Sequence, residues 1–188
     1  MSDQKFYLGL GHKARQGKDT AAWAIHHAYP KLTRVMGFAD ALKAHCRVLG
    51  MREKNAPFLQ QVGLAYRSLN PDLWIDVLKA TASEVAEPVI IIPDVRFPNE
   101  AEFVRSNGGK LVRVVRLVKD PMEPTEVNFA LGDRYIQYVA TDRPADHPSE
   151  IALNDFDWDH TIHGYDVEKT KYWAITAFQS IAIGWGVL

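Results

Sequence analysis

The chain has 188 residues, of which 47% are hydrophobic and 24% charged, and its formal net charge is −1. That length suits one domain with a sizeable core, and the near-neutral balance excludes a surface that attracts duplex nucleic acid as a whole. Cys46 is the sole cysteine, which excludes an internal disulfide or a cysteine-rich zinc site and fits a reducing cytoplasm.

The opening MSDQKFYLGLG is too short and too interrupted for a signal peptide. No apolar run approaches membrane-spanning length, so no membrane partner is expected. Lys5–Leu10 predicts a buried strand, and Lys18–Tyr29 a helix stopped by Pro30. Thr33–Ala39 predicts a second strand, followed by helical ALKAHCRVLG. Two further helices are expected around FLQQVGLAYRSL and PDLWIDVLKATASEVA, the second with Asn70 as cap and Pro71 in its first turn. The run VIII before Pro93 is apolar on both faces, as a central parallel strand requires. Asn99–Ser106 predicts a helix that stops at Asn107-Gly108-Gly109. KLVRVVRL and HTIHG are strands, and a final helix lies between Tyr165 and Ile183.

Strands alternating with helices predict a single α/β domain over 1–188, a parallel sheet flanked by helices. Lys119–Pro148 breaks the rhythm. It is rich in Pro, Asp and Arg, too long for an ordinary connection, and reads as a lid-like insertion, with a surface excursion as the plainer alternative.

The stretch GHKARQGKDT, after the first strand, approximates the phosphate-binding pattern G-x-x-x-x-G-K-[ST]. Backbone N–H groups and the following helix N-terminus would surround phosphate oxygens, with Lys18 reaching the outer phosphates. Gly11, Lys13, Arg15, Gly17, Lys18, Asp19 and Thr20 are the residues expected around them. The pattern's first glycine is replaced by His12. Asp19 stands where Ser or Thr would ligate Mg²⁺; a carboxylate can hold the hydrated ion, or serve only to cap the helix. Asp94 and Arg96 follow the buried strand's carboxyl end, where open α/β sheets bind ligands. Arg96 can grip a phosphate with two N–H groups, or the pair can be a structural ion pair. The seven histidines show no metal-ligand spacing.

GKDT after a strand, DVRFPNEAEFVRSNGGKLVRVVR and DHPSE together resemble the deoxynucleoside monophosphate kinases of bacteriophages. The resemblance implies a P-loop kinase fold that binds ATP and Mg²⁺, the metal through Asp19. It also implies transfer of the γ-phosphoryl group to a deoxynucleoside monophosphate. Lys18, Arg96 and Arg143 would act in transfer, with Arg134 a second lid arginine and Arg116 a further candidate. Asp40, Lys43, Gln61, Arg67, Asp94, Arg96 and Glu150 would form the acceptor site, Gln61 and Arg67 through the family's LQ-x-x-G-x-x-x-R segment. The plainer roles for Asp40, Lys43 and Glu150 are helix capping, a solvated face and a helix start. Related kinases suggest a homodimer, in the host cytoplasm if the chain is phage-encoded, with no stable nucleic-acid partner. The alternatives are a related kinase, acting on dephospho-coenzyme A or a modified base, and a nucleotide-binding interaction protein without catalysis.

Overall fold

The computed structural model describes residues 4–11, 13–51, 55–119, 135–141 and 144–188. The elements run β1 (Phe6–Gly11), α1 (Lys18–Ala28), β2 (Thr33–Val35), α2 (Asp40–Val48), α3 (Ala56–Leu69), α4 (Leu73–Ser83) and β3 (Val89–Val95). They continue with α5 (Pro98–Ser106), β4 (Lys110–Lys119), β5 (Tyr135–Gln137), α6 (Pro148–Ile151), β6 (His160–Gly164) and α7 (Val167–Gly184).

The sheet is mixed and mostly parallel, in the order β2-β3-β1-β4, with β6 and β5 both pairing β4. β6 runs parallel to Val112–Arg116, and β5 runs antiparallel to Leu117–Lys119. The expected all-parallel sheet is thus corrected at one strand. β5 lies inside the expected insertion and pairs antiparallel with the end of β4.

Alternation along each strand divides the core. Tyr7, Ile90, Ile92 and Leu111 face α2, α4 and α5, where they meet Leu42, Trp74, Leu78 and Phe103. Leu8, Leu10, Val89, Ile91 and Val112 face α1 and α7, meeting Ala22, Ile25, Ala174 and Phe178. Both faces of β3 are sealed, which is why its sequence is continuously apolar.

Two expected boundaries move. β2 stops at Val35, not Ala39, because the Phe38 and Ala39 N–H groups turn away to the Asp94 carboxylate, each at 2.9 Å. α4 begins at Leu73. Asn70 instead ends α3, and its side chain accepts the Asp72 N–H at 3.0 Å, so Pro71 sits in a turn.

After β1 the chain crosses to β2 at one edge, whereas after β3 it crosses over β1 to β4. The connections therefore diverge at the carboxyl ends of β1 and β3, which opens a crevice there. Among the described residues, no helix is long and apolar enough to cross a membrane.

Candidate functional site

The loop between β1 and α1 owes its tight course to two left-handed residues. Gly17 has φ 93°, where any side chain is strained, and Arg15 adopts φ 59°, a conformation that is uncommon outside glycine. Gly17 also caps α1 and contributes no side-chain bond, so the helix N-terminus opens toward the crevice. Gly11 is the buried last residue of β1, at the entrance to the loop. His12 lies outside the described residues.

Lys18 is 6% exposed, and its Nζ donates to the carbonyl of Lys13. Burial, then the nearby Arg96 guanidinium, lowers its pKa from 10.5 to about 7, against the opposing pull of Glu150, Asp19 and Asp94. Two cations are thus held near one another at a helix N-terminus, an arrangement whose natural complement is an anion.

On one side of the loop lies a cavity of about 240 Å³, bounded by the loop, α2, α3 and the end of β3. Its walls combine apolar Phe38, Leu42, Leu59, Leu64 and Phe97 with Lys18, Lys43, Arg67, Asp94 and Arg96. Each arginine lies against a buried glutamate. Arg67 pairs with Glu100 and stacks 4.3 Å from the Phe97 ring centre, while Arg96 pairs with Glu150. Glu100 also accepts the N–H groups of Arg96 (2.8 Å) and Phe97 (3.1 Å), which fixes the start of α5. Burial raises the Glu100 carboxyl to about 7, although Arg67 and the Arg96 N–H pull it back down. Glu150 takes the Ala14 N–H at 2.8 Å as well, so one buried carboxylate joins the loop to Arg96.

Several expected residues play structural parts. Asp94 faces the cavity and accepts the Phe38 and Ala39 N–H groups, one on each oxygen, which holds the β2–α2 connection. That connection passes so close that a Cβ on Gly37 would meet Asp94 Oδ2 at 2.7 Å. Asp40 is exposed, accepts the Gly37 N–H at 2.7 Å and pairs with Lys43 at 2.9 Å. Lys43 reaches the cavity from there. Glu150 stands behind Arg96 and does not line the cavity. Gln61 is on the exposed side of α3. Gln60, one helical step away, turns inward and donates to Ser149 Oγ at 3.4 Å.

On the loop's other side, a second cavity of about 340 Å³ is lined by Arg15, Gln16, Asp19, Thr20, Arg116 and the start of α7. Asp19 and Arg15 border both cavities. Arg116 lies 4.6 Å from the Tyr138 ring centre. Asp19 is exposed and free to reach a hydrated cation. No cluster of three or more His, Cys, Asp or Glu that could hold a metal alone occurs among the described residues. A Mg²⁺ ion here would therefore depend on Asp19, waters and ligand oxygens, which fits its preference for keeping much of its hydration. Arg134 and Arg143 lie outside the described residues.

Sequence reasoning missed Gln16, Gln60, Glu100, His147 and Ser149. Glu100 had a local signal, a glutamate three positions after the residue that precedes Pro98. Gln16 had none, because its partners are Arg116 and Tyr138.

No protein-family model matches the chain, and no curated protein matches its sequence.

Proposed function

We propose that this chain is an ATP-dependent deoxynucleoside monophosphate kinase, with ATP held on the Thr20 and Arg116 side of the loop and the acceptor on the Arg67 and Arg96 side. The observation that carries the reading is the convergence of Lys18, Arg67 and Arg96 on one cavity, with a second cavity across the loop that is lined by Thr20 and Arg116 and shares Arg15, Gln16, Gly17 and Asp19 with the first. A phosphoryl group passing from one bound nucleotide to another needs positive charge on both sides of it, and little covalent help from the protein.

In this reading an acceptor phosphate oxygen forms a bond to the γ-phosphorus as the bond to the β-phosphate oxygen breaks, giving ADP and a deoxynucleoside diphosphate. Loop N–H groups and the α1 N-terminus hold the donor phosphates. Lys18 leaves the Lys13 carbonyl and follows the charge of the transferred group. A phosphate beside Lys18 would favour its charged form. Arg96 and Arg67, oriented by Glu150 and Glu100, present N–H groups to the acceptor phosphate. Asp19 is the residue that would hold Mg²⁺, whose chemistry is to neutralise the β- and γ-oxygens. The apolar wall of Phe38, Leu42 and Leu59 suits a nucleoside and keeps water from competing for the γ-phosphoryl group.

A coupled assay of ADP release tests this, using ATP, Mg²⁺ and a panel of ribo- and deoxynucleoside monophosphates alongside dephospho-coenzyme A. ADP release that depends on a deoxynucleotide is expected. Release with dephospho-coenzyme A alone, or with no acceptor in the panel, overturns the assignment.

A further inference from the structure

Gln16 is 2% exposed and has both ends of its amide engaged. Its Oε1 accepts the Arg116 N–H at 2.8 Å, and its Nε2 donates to the Tyr138 carbonyl at 2.7 Å. Gln137 Nε2 approaches the same Oε1 at 3.5 Å. The Tyr138 N–H in turn bonds the Arg116 carbonyl at 2.8 Å. One side chain therefore ties the loop residue before Gly17 to the strand end that carries Arg116 and to the chain just after β5. Tyr138 supplies the ring on which the Arg116 guanidinium rests. Gln16 borders both cavities, while Arg116 lines only the second.

We propose that Gln16 is a positioning residue for the donor half of the site: it fixes the Arg116–Tyr138 wall relative to the Gly17–Lys18 turn, so that one nucleotide can touch both. The inference rests on the kinase reading and extends it to a residue with no part in the chemistry. A buried amide suits this task because leaving either end unmatched is costly, which makes the arrangement singular. A hydrophobic side chain of equal length would fill the space without specifying where β4 and the loop meet.

Gln16→Met removes both bonds at similar volume, and Gln16→Glu retains the acceptor for the Arg116 N–H while removing the donor to Tyr138. Calorimetric ATP binding reads the donor half without reference to any acceptor. Gln16→Met is expected to weaken ATP binding about tenfold, the scale of one unmatched buried hydrogen bond, with the acceptor KM within about twofold. Hydrogen exchange at the Arg116 amide should accelerate in Gln16→Met and stay slow in Gln16→Glu, which separates the two bonds even if one variant is less stable. Unchanged ATP affinity in both folded variants overturns the inference while the kinase reading stands, and so does a loss shared equally by donor and acceptor. Failure of the wild-type protein to bind ATP overturns both.

Discussion

On one side of the loop, Arg67 and Arg96 each lie against a buried glutamate; on the other, Arg116 is exposed and lies on the Tyr138 ring. The first arrangement gives up part of each arginine's net charge and gains a fixed guanidinium plane. The second keeps the charge and leaves the geometry looser. Binding on the Arg96 side should therefore depend on the fork of N–H groups, and binding on the Arg116 side on charge alone. Lys18 lines the Arg96 side without a carboxylate of its own, held instead by the Lys13 carbonyl.

Lys18→Met should have the largest effect, lowering kcat by about 10³-fold through loss of charge at the transferred group. The same variant should be more stable than the wild type near neutral pH when no nucleotide is bound. The sign follows from the lowered pKa. Between about 7 and 10.5 the unfolded chain carries a proton on Lys18 that the folded chain does not, so stability rises with pH across that window. Below it the full penalty of burying the cation is present. Chemical denaturation of both proteins from pH 6 to 10 checks this: the variant's advantage should shrink as pH rises. An advantage that grows instead would show that Lys18 is not held against its charge.

Arg96→Lys tests the fork directly. It keeps a cation beside Glu150, so the buried carboxylate is not stranded, but it loses the planar pair of donors. We expect kcat/KM for the acceptor to fall about 10²-fold, a cost of about 3 kcal/mol, with ATP affinity within about twofold. Equal losses for both substrates would move Arg96 to the shared centre and dissolve the contrast between the two sides.

How far these roles could be read from sequence depends on how local they are. The strand, loop and helix around Gly17 and Lys18 are contiguous, so their spacing declares them. Arg67 and Arg96 both line the first cavity, the one expected there from the resemblance of its segment and the other from its place just past a buried strand. Gln60 and Gln61 are adjacent on α3, and with Gly63 and Arg67 in place the glutamine of LQ-x-x-G-x-x-x-R is Gln60, the one that turns inward, so the expectation for Gln61 was displaced by one residue. Asp94 lies at the cavity as expected, but the structural task it also performs was hidden, because its partners Phe38 and Ala39 are 56 and 55 residues away. Nothing near Asp94 in the chain announces them. β5 was hidden for a similar reason: three residues of strand have too short a pattern to stand out within a polar insertion.

Asp19 borders both cavities, so its loss should be felt without favouring either side. Asp19→Asn keeps a side-chain oxygen for α1 while removing the charge that would hold a hydrated cation. The Mg²⁺ concentration for half-maximal rate should rise about tenfold, at the low end of what a supporting metal contact is worth. Affinity for ATP without metal should improve slightly, since one negative charge near the phosphates is gone. A titration of rate against Mg²⁺ at saturating nucleotides reads the first effect, and calorimetry with a chelator reads the second. A variant altered only in thermal stability would leave Asp19 as a helix-capping residue.

Arg116→Lys should have the smallest effect and is the sharpest test of the contrast. Lysine keeps the charge at the mouth of the second cavity and can still rest its ammonium on the Tyr138 ring. An exposed cation–π contact is worth only about 0.5–1 kcal/mol, so even its complete loss would change affinity by only about two- to fivefold. The backbone N–H that Gln16 holds is untouched by the substitution. We therefore expect the ATP KM to rise by no more than about threefold, and Arg116→Ala to cost about tenfold because the charge itself is lost. Steady-state kinetics with ATP varied at a saturating acceptor give both values. Should Arg116→Lys match Arg96→Lys in severity, guanidinium geometry matters equally on both sides, and the buried glutamates behind Arg67 and Arg96 would need another explanation.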